Sequence, residues 1–166
     1  MCVKDLWRLA CVASMMAAMP AWGSDFTDSK FGYSVSPPEF PGPPSGSAAT
    51  RLTVLAPPEG GFSSNMGVMI QEIKTTREEF IALSEKQFDA LGMKVRSSSK
   101  RDVSGQPAVL LDYEGQMGGV GLRFLQLAVI LPERVLLLTY TAPKSSFKEL
   151  EAEFRRSLET FKLTPK

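Results

Sequence analysis

PAVLLDYEG (107–115), VGLRFLQLAVIL (120–131), RVLLLTYTA (134–142) and SSFKELEAEFRRSLETF (145–161) follow one another almost without a break, and their reading decides the fold. In the second run Leu125, Leu127, Val129 and Leu131 share one parity, and Leu122, Phe124, Ala128 and Ile130 share the other. Successive residues of a strand point to opposite faces, so both faces of this strand are expected to be covered. Val135 to Tyr140 repeats the signature with little polar interruption, which places it beside its predecessor inside a sheet and not at an edge. The connections are short: Gly115-Gln116-Met117-Gly118-Gly119, then Pro132-Glu133-Arg134. Three antiparallel strands joined by hairpins are therefore expected. Pro143 ends the third, and Ser146-Phe147-Lys148-Glu149 has the form of a capping box, which predicts a helix start. Phe147, Leu150, Phe154, Leu158 and Phe161 recur at steps of three and four. They give that helix one apolar face, with charged residues on the others.

Working back toward the N-terminus, Lys30–Ser36 alternates Phe31, Tyr33 and Val35 on one side and reads as a first strand with one buried face. Pro37 to Ser47 holds five prolines in eleven residues and is expected to be a surface loop. Arg51–Leu55 and Met66–Ile73 are two further strands. Thr76-Arg77-Glu78-Glu79 is a second capping box, opening a helix to Leu91 with Phe80, Ile81, Leu83, Phe88 and Leu91 on its apolar side and Gly92 as its stop. From Met93 to Val103 neither parity is apolar, so this strand is expected at an exposed edge, protected by charge. The order describes an α+β fold: a mainly antiparallel sheet of about six to seven strands with two main helices, one on each face.

With 166 residues and 43% hydrophobic content, the chain suits one core that buries roughly two thirds of the unfolded surface. Residues 1–23 read as a secretory signal peptide and 24–166 as a single domain. Lys4 and Arg8 flank the start, Leu9 to Met19 is apolar, and Ala21-Trp22-Gly23 supplies small residues for cleavage after Ala21 or Gly23. Asp5 weakens the basic start, which leaves an uncleaved amphipathic anchor as the alternative. An apolar run of eleven residues is too short to span a bilayer. Leu9-Ala10-Cys11 has the form of a lipoprotein site, although Arg8 stands where an aliphatic residue is expected, so anchoring through Cys11 is a minor alternative. Without residues 1–23 the chain carries 17 basic and 17 acidic residues, which argues against a nucleic-acid partner. Both cysteines, Cys2 and Cys11, fall in the signal, so the exported domain is expected to hold itself together by its core alone.

The absence of histidine removes imidazole bases, His-ligated metals and His relays, and a domain without cysteine has no thiol chemistry. No metal or other cofactor is expected. Asp112 and Glu114 share a strand face that Arg123 on the next strand can meet. The pattern is that of a cross-strand salt bridge, with paired-carboxylate hydrolysis as the rival. Gly115 to Gly121 is followed by a strand where a phosphate-cradling loop would open a helix, so it reads as a hairpin turn. Lys94, Arg96 and Lys100 share one parity of the edge strand and are candidates for contacting an acidic partner, with plain protection of the edge as the alternative. Phe40 and Phe62 in the two loops are the rival partner surface, should they lie together.

Phe31-Gly32-Tyr33-Ser34-Val35 before Pro37-Pro38, Asn65-Met-Gly-Val-Met-Ile70, the Thr-capped helix, Gly105-Gln-Pro-Ala108, Leu138-Thr-Tyr-Thr-Ala142 and the closing Phe161-Lys162 together resemble the PsbP/Mog-like superfamily, which includes DcrB-type exported bacterial proteins. The likeness spans roughly residues 25 to 163. It implies an α/β/α sandwich and a non-enzymatic binding or accessory role, since the superfamily holds photosystem subunits, a Ran-binding protein, envelope proteins and secretion chaperones. It has no shared catalytic motif to carry over. The expectation is an exported accessory module whose partner is another envelope protein. A small-ligand or lipid carrier, which needs an apolar cavity between helix and sheet, is the alternative, and a carboxylate hydrolase is a third.

Overall fold

The three apolar runs lie at the middle of a six-stranded antiparallel sheet. In the computed structural model, which describes residues 25–41, 45–46 and 50–165, this sheet contains β3 (Thr50–Leu55), β4 (Asn65–Gln71), β5 (Lys94–Val103), β6 (Gln106–Met117), β7 (Val120–Leu131) and β8 (Arg134–Pro143). Their order is β3-β4-β8-β7-β6-β5, so β7 and β8 are interior and β5 is an edge, as the residue patterns require. A second, three-stranded sheet joins β1 (Phe26–Asp28), β2 (Tyr33–Val35) and β9 (Lys162–Leu163). The signal-peptide reading of residues 1–23 lies outside the described residues.

The turns follow from glycine. Gly118 and Gly119, at φ 58° and 81°, link Met117 to Val120 in a two-residue hairpin whose left-handed backbone matches strand twist. Ser104 and Gly105, at φ 50° and 77°, do the same between β5 and β6.

The helices α1 (Arg77–Ala90) and α2 (Phe147–Glu159) pack on opposite faces. Phe147, Phe154 and Phe161 join Leu125, Leu127, Leu136, Leu138, Tyr140 and the β2 residues Tyr33 and Val35 in one buried cluster. Phe80 and Phe88 of α1 join Leu111, Tyr113, Leu122, Phe124 and Ile130 in the other, where the rings of Phe88, Tyr113 and Phe124 stack at 4.2 and 4.8 Å. Burial pushes the Tyr113 hydroxyl up to about 12.

Three expectations are corrected. Lys30–Ser36 is a strand only over β2 and belongs to the small sheet, with all three of its residues buried. The strands β1 and β9 that pair with it have three and two residues, too few to show a period. Ser146 makes no side-chain cap bond: its backbone, at φ −105° and ψ −8°, is already helical, and the Glu149 amide donates to the Ser146 carbonyl instead. Thr76 is extended and forms the full capping box with Glu79, at 3.2 and 2.8 Å. On α1, Leu83 and Leu91 are exposed while Ser84 is buried between Phe80 and Phe88, because the sheet meets the helix along that row of every fourth residue.

Candidate functional site

Asp112 and Glu114 point to the α2 side of the sheet, and both are fully engaged. Arg123, one strand over, donates to both Asp112 oxygens from Nε at 3.0 Å and Nη2 at 2.7 Å. Its third nitrogen reaches Glu151 of α2 at 3.3 Å, and its guanidinium lies 4.3 Å from the centroid of the Phe147 ring. Arg96 donates to Glu114 at 2.9 Å and lies 3.6 Å from Asp112, while Lys144 donates to the other Glu114 oxygen at 2.8 Å. Arg155 closes the cage on Glu151 at 2.6 Å. Hydrogen bonds from Lys144 and then Arg96 hold the Glu114 carboxyl below its usual range, and the bond to Asp112 raises the Arg123 guanidinium further. A general acid needs the opposite shift, and a general base needs a free lone pair facing a cleft. This is a salt-bridge cage that clamps α2 to the sheet.

A β-bulge governs the basic stripe. The register of β5 on β6 shifts between Val95 and Ser97, so strict alternation fails at Arg96. Lys94 stands opposite Glu114 and Arg96 reaches into the cage, both on the α2 side. Lys100 stands opposite Val109 on the α1 side and pairs with Glu78 at 2.9 Å. The three cations therefore do not form one stripe. Lys94 lines a polar cleft of about 410 Å³ with Glu114, Gln116 and Lys144. The two phenylalanines are also separated: Phe40 packs edge-on at 6.3 Å to Phe154 in the α2-side cluster, and Phe62 packs in the α1-side cluster, with the sheet between them.

A cleft of about 400 Å³ opens between α2 and the β5–β6 hairpin, over Leu110, Leu127, Leu158 and Phe161. It is of ligand size. However, Leu127, Phe161 and Leu110 are only 1, 6 and 7% exposed, so little apolar surface remains for a carried ligand to cover. Among the described residues no group of acidic side chains could hold a metal, and no helix is long and apolar enough to cross a membrane.

A second cluster escaped the sequence reading. The buried Asp28 carboxylate accepts from the Lys30 and Phe31 amides at 3.0 and 3.2 Å and from Arg51 Nε at 3.0 Å. The turn that Asp28 organises presents Phe31 to three cations: Lys30, Arg51 and Arg134 lie 5.3, 4.9 and 5.5 Å from its ring centroid. The only local signal was the Asp28-x-x-x-Gly32 spacing of a tight turn.

The chain matches no family model and no curated protein. Solved structures do match it. The solution structure of cyanobacterial PsbP (CyanoP) from Synechocystis sp. PCC 6803 aligns with a TM-score of 0.62 over 84% of this chain and 91% of that one, at 16% identity. The chain has the PsbP-like fold. The same fold relates it to LpqN, involved in cell envelope biogenesis of Mycobacterium tuberculosis, with a TM-score of 0.64 over 86% of this chain and 90% of that one at 16% identity. It also relates it to PA94, a protein of unknown function from Pseudomonas aeruginosa, at 0.61 over 86% and 96% with 18% identity. At such identities what is shared is the PsbP-like fold, and function must be argued from the sites.

Proposed function

We propose that the chain is a non-catalytic accessory or binding module of the bacterial cell envelope, exported on its N-terminal segment. The observation that carries the reading is the occupied cage: Asp112 and Glu114, the carboxylates that the sequence offers for hydrolysis, have their oxygens taken by Arg123, Arg96 and Lys144. Export is supported by the signal-like residues 1–23 and by a domain without thiols. The envelope role is supported by the PsbP-like structure of LpqN, a protein involved in cell envelope biogenesis. Its partner is another envelope protein, contacted around Lys94; of the other residues the sequence nominates, Arg96 and Lys100 are ion-paired on different sides of the sheet and Phe40 and Phe62 pack in opposite clusters. Lys94 leads this set because it has no ion-pair partner among the described residues and lines an open cleft.

The test has two arms. Intact-mass analysis of the envelope fraction is expected to show a chain beginning near Ser24, and a photo-crosslinking residue at Lys94 to give one discrete protein adduct in cells. The reading fails if purified protein hydrolyses an ester or glycoside and the well-folded Asp112→Asn variant does not, or if the chain is recovered full-length from the cytosol.

A further inference from the structure

We infer that the Phe31 turn and its surrounding cations form a docking surface for an anionic phospholipid membrane. The turn is rigidly built. Asp28 is buried and holds two amides and Arg51, Gly32 closes the turn at φ 73°, and the Thr164 amide bonds to the Gly32 carbonyl at 2.9 Å. Because the Asp28 charge is directed inward, Ser29 and Lys30 form the exposed tip, and Phe31 beside them is half-buried, one part of its ring against the α2-side core and the rest toward the cations.

Arg134 arrives from the turn between β7 and β8, so two separate hairpins converge on one ring. Of the three cations, Arg51 alone forms an ion pair among the described residues. The three positive charges thus have Asp28 as their one ion-pair partner among the described residues, the neighbouring Glu133 being paired with Lys74, on a domain whose residues from 24 onward balance at 17 basic and 17 acidic. Their mutual repulsion is relieved only in part by the face of Phe31.

The shape of the cluster selects the anion. A single small anion is bound where cations converge on open space, whereas here they surround a half-buried ring. A plane of lipid headgroups offers a phosphate to each cation while the ring enters the headgroup boundary, and long basic side chains keep their charges at that level. The surface is separate from the Asp112–Glu114 cage and does not rest on the non-catalytic reading.

Co-sedimentation of the processed chain that begins near Ser24 with vesicles containing phosphatidylglycerol, and with vesicles of phosphatidylcholine alone, tests it. The parent is expected to pellet with the anionic vesicles only, and less so as salt rises. Lys30→Gln with Arg134→Gln is expected to weaken partitioning about thirty-fold. A control with the same charge loss, Lys148→Gln with Arg156→Gln on the exposed side of α2, is expected to stay within about two-fold of the parent. Phe31→Trp is expected to add a blue-shifted emission component on mixing with the anionic vesicles. Failure of the parent to bind them at low salt, equal binding to both vesicle types, or equal weakening of the two double variants would overturn the inference. Binding to an acidic protein but not to lipid would do the same.

Discussion

Ser146 and Thr76 precede their helices with the same motif, yet only Thr76 caps. Its extended backbone, at φ −91° and ψ 166°, turns the hydroxyl toward the Glu79 amide, whereas Ser146 enters its helix already helical and its hydroxyl has no amide to accept from. Thr76→Ala is therefore expected to cost about 1 kcal/mol and Ser146→Ala no more than a few tenths, measured by urea unfolding. Equal losses at both positions would contradict the cap geometry. Arg96 gives the same lesson on a strand: its residue type is readable as basic, but the bulge that sends it toward Asp112 and Glu114 is an accommodation between β5 and β6.

At the scale of the element, α2 shows how far periodicity reaches. Its apolar residues at steps of three and four all meet the α2-side cluster, with Phe147 and Phe154 fully buried and Leu150 and Leu158 partly so. Phe154 touches the rings of Phe40, Tyr140 and Phe147. Phe154→Ala would leave a cavity among three aromatic rings that cannot collapse together, and is expected to cost about 3 to 5 kcal/mol in chemical unfolding. A variant that unfolds with the parent would mean that α2 adds little to the core. The helix α1 was harder to read, because the sheet selects the row Phe80, Ser84 and Phe88 and leaves Leu83 and Leu91 to solvent. Hydrophobicity alone ranks a leucine above a serine for burial, and packing reversed that order.

For the whole molecule, the cage links β5, β6, β7, the β8–α2 connection and α2, so its charge state bears on global stability. The Glu114 carboxyl, with hydrogen bonds from Lys144 and Arg96, is held below its ordinary value of 4.5. A carboxyl lowered by folding contributes stability that is present above its unfolded value and is lost as pH falls through the folded one. Glu78, bonded to Lys100, and Glu79, bonded to the Thr76 amide, are lowered in the same sense. The thermal midpoint is expected to fall between neutrality and about pH 3, and Glu114→Gln to start lower at neutrality and fall less. Parallel pH curves for parent and variant would show that the Glu114 interactions do not survive in solution.

The meander of β6, β7 and β8 with its hairpin connections, the edge position of β5 and the apolar face of α2 were written in the sequence because each depends on residues two to four positions apart or on neighbouring runs, within reach of a local period. Tertiary structure alone decided the rest. It formed a small sheet from strands too short to have a period, shifted one register at Arg96, set Phe40 and Phe62 on opposite sides of the main sheet, and drew Lys30, Arg51 and Arg134 from three segments around Phe31. These contacts join residues far apart in the chain, and no short-range pattern encodes a meeting that exists only once the sheet has closed.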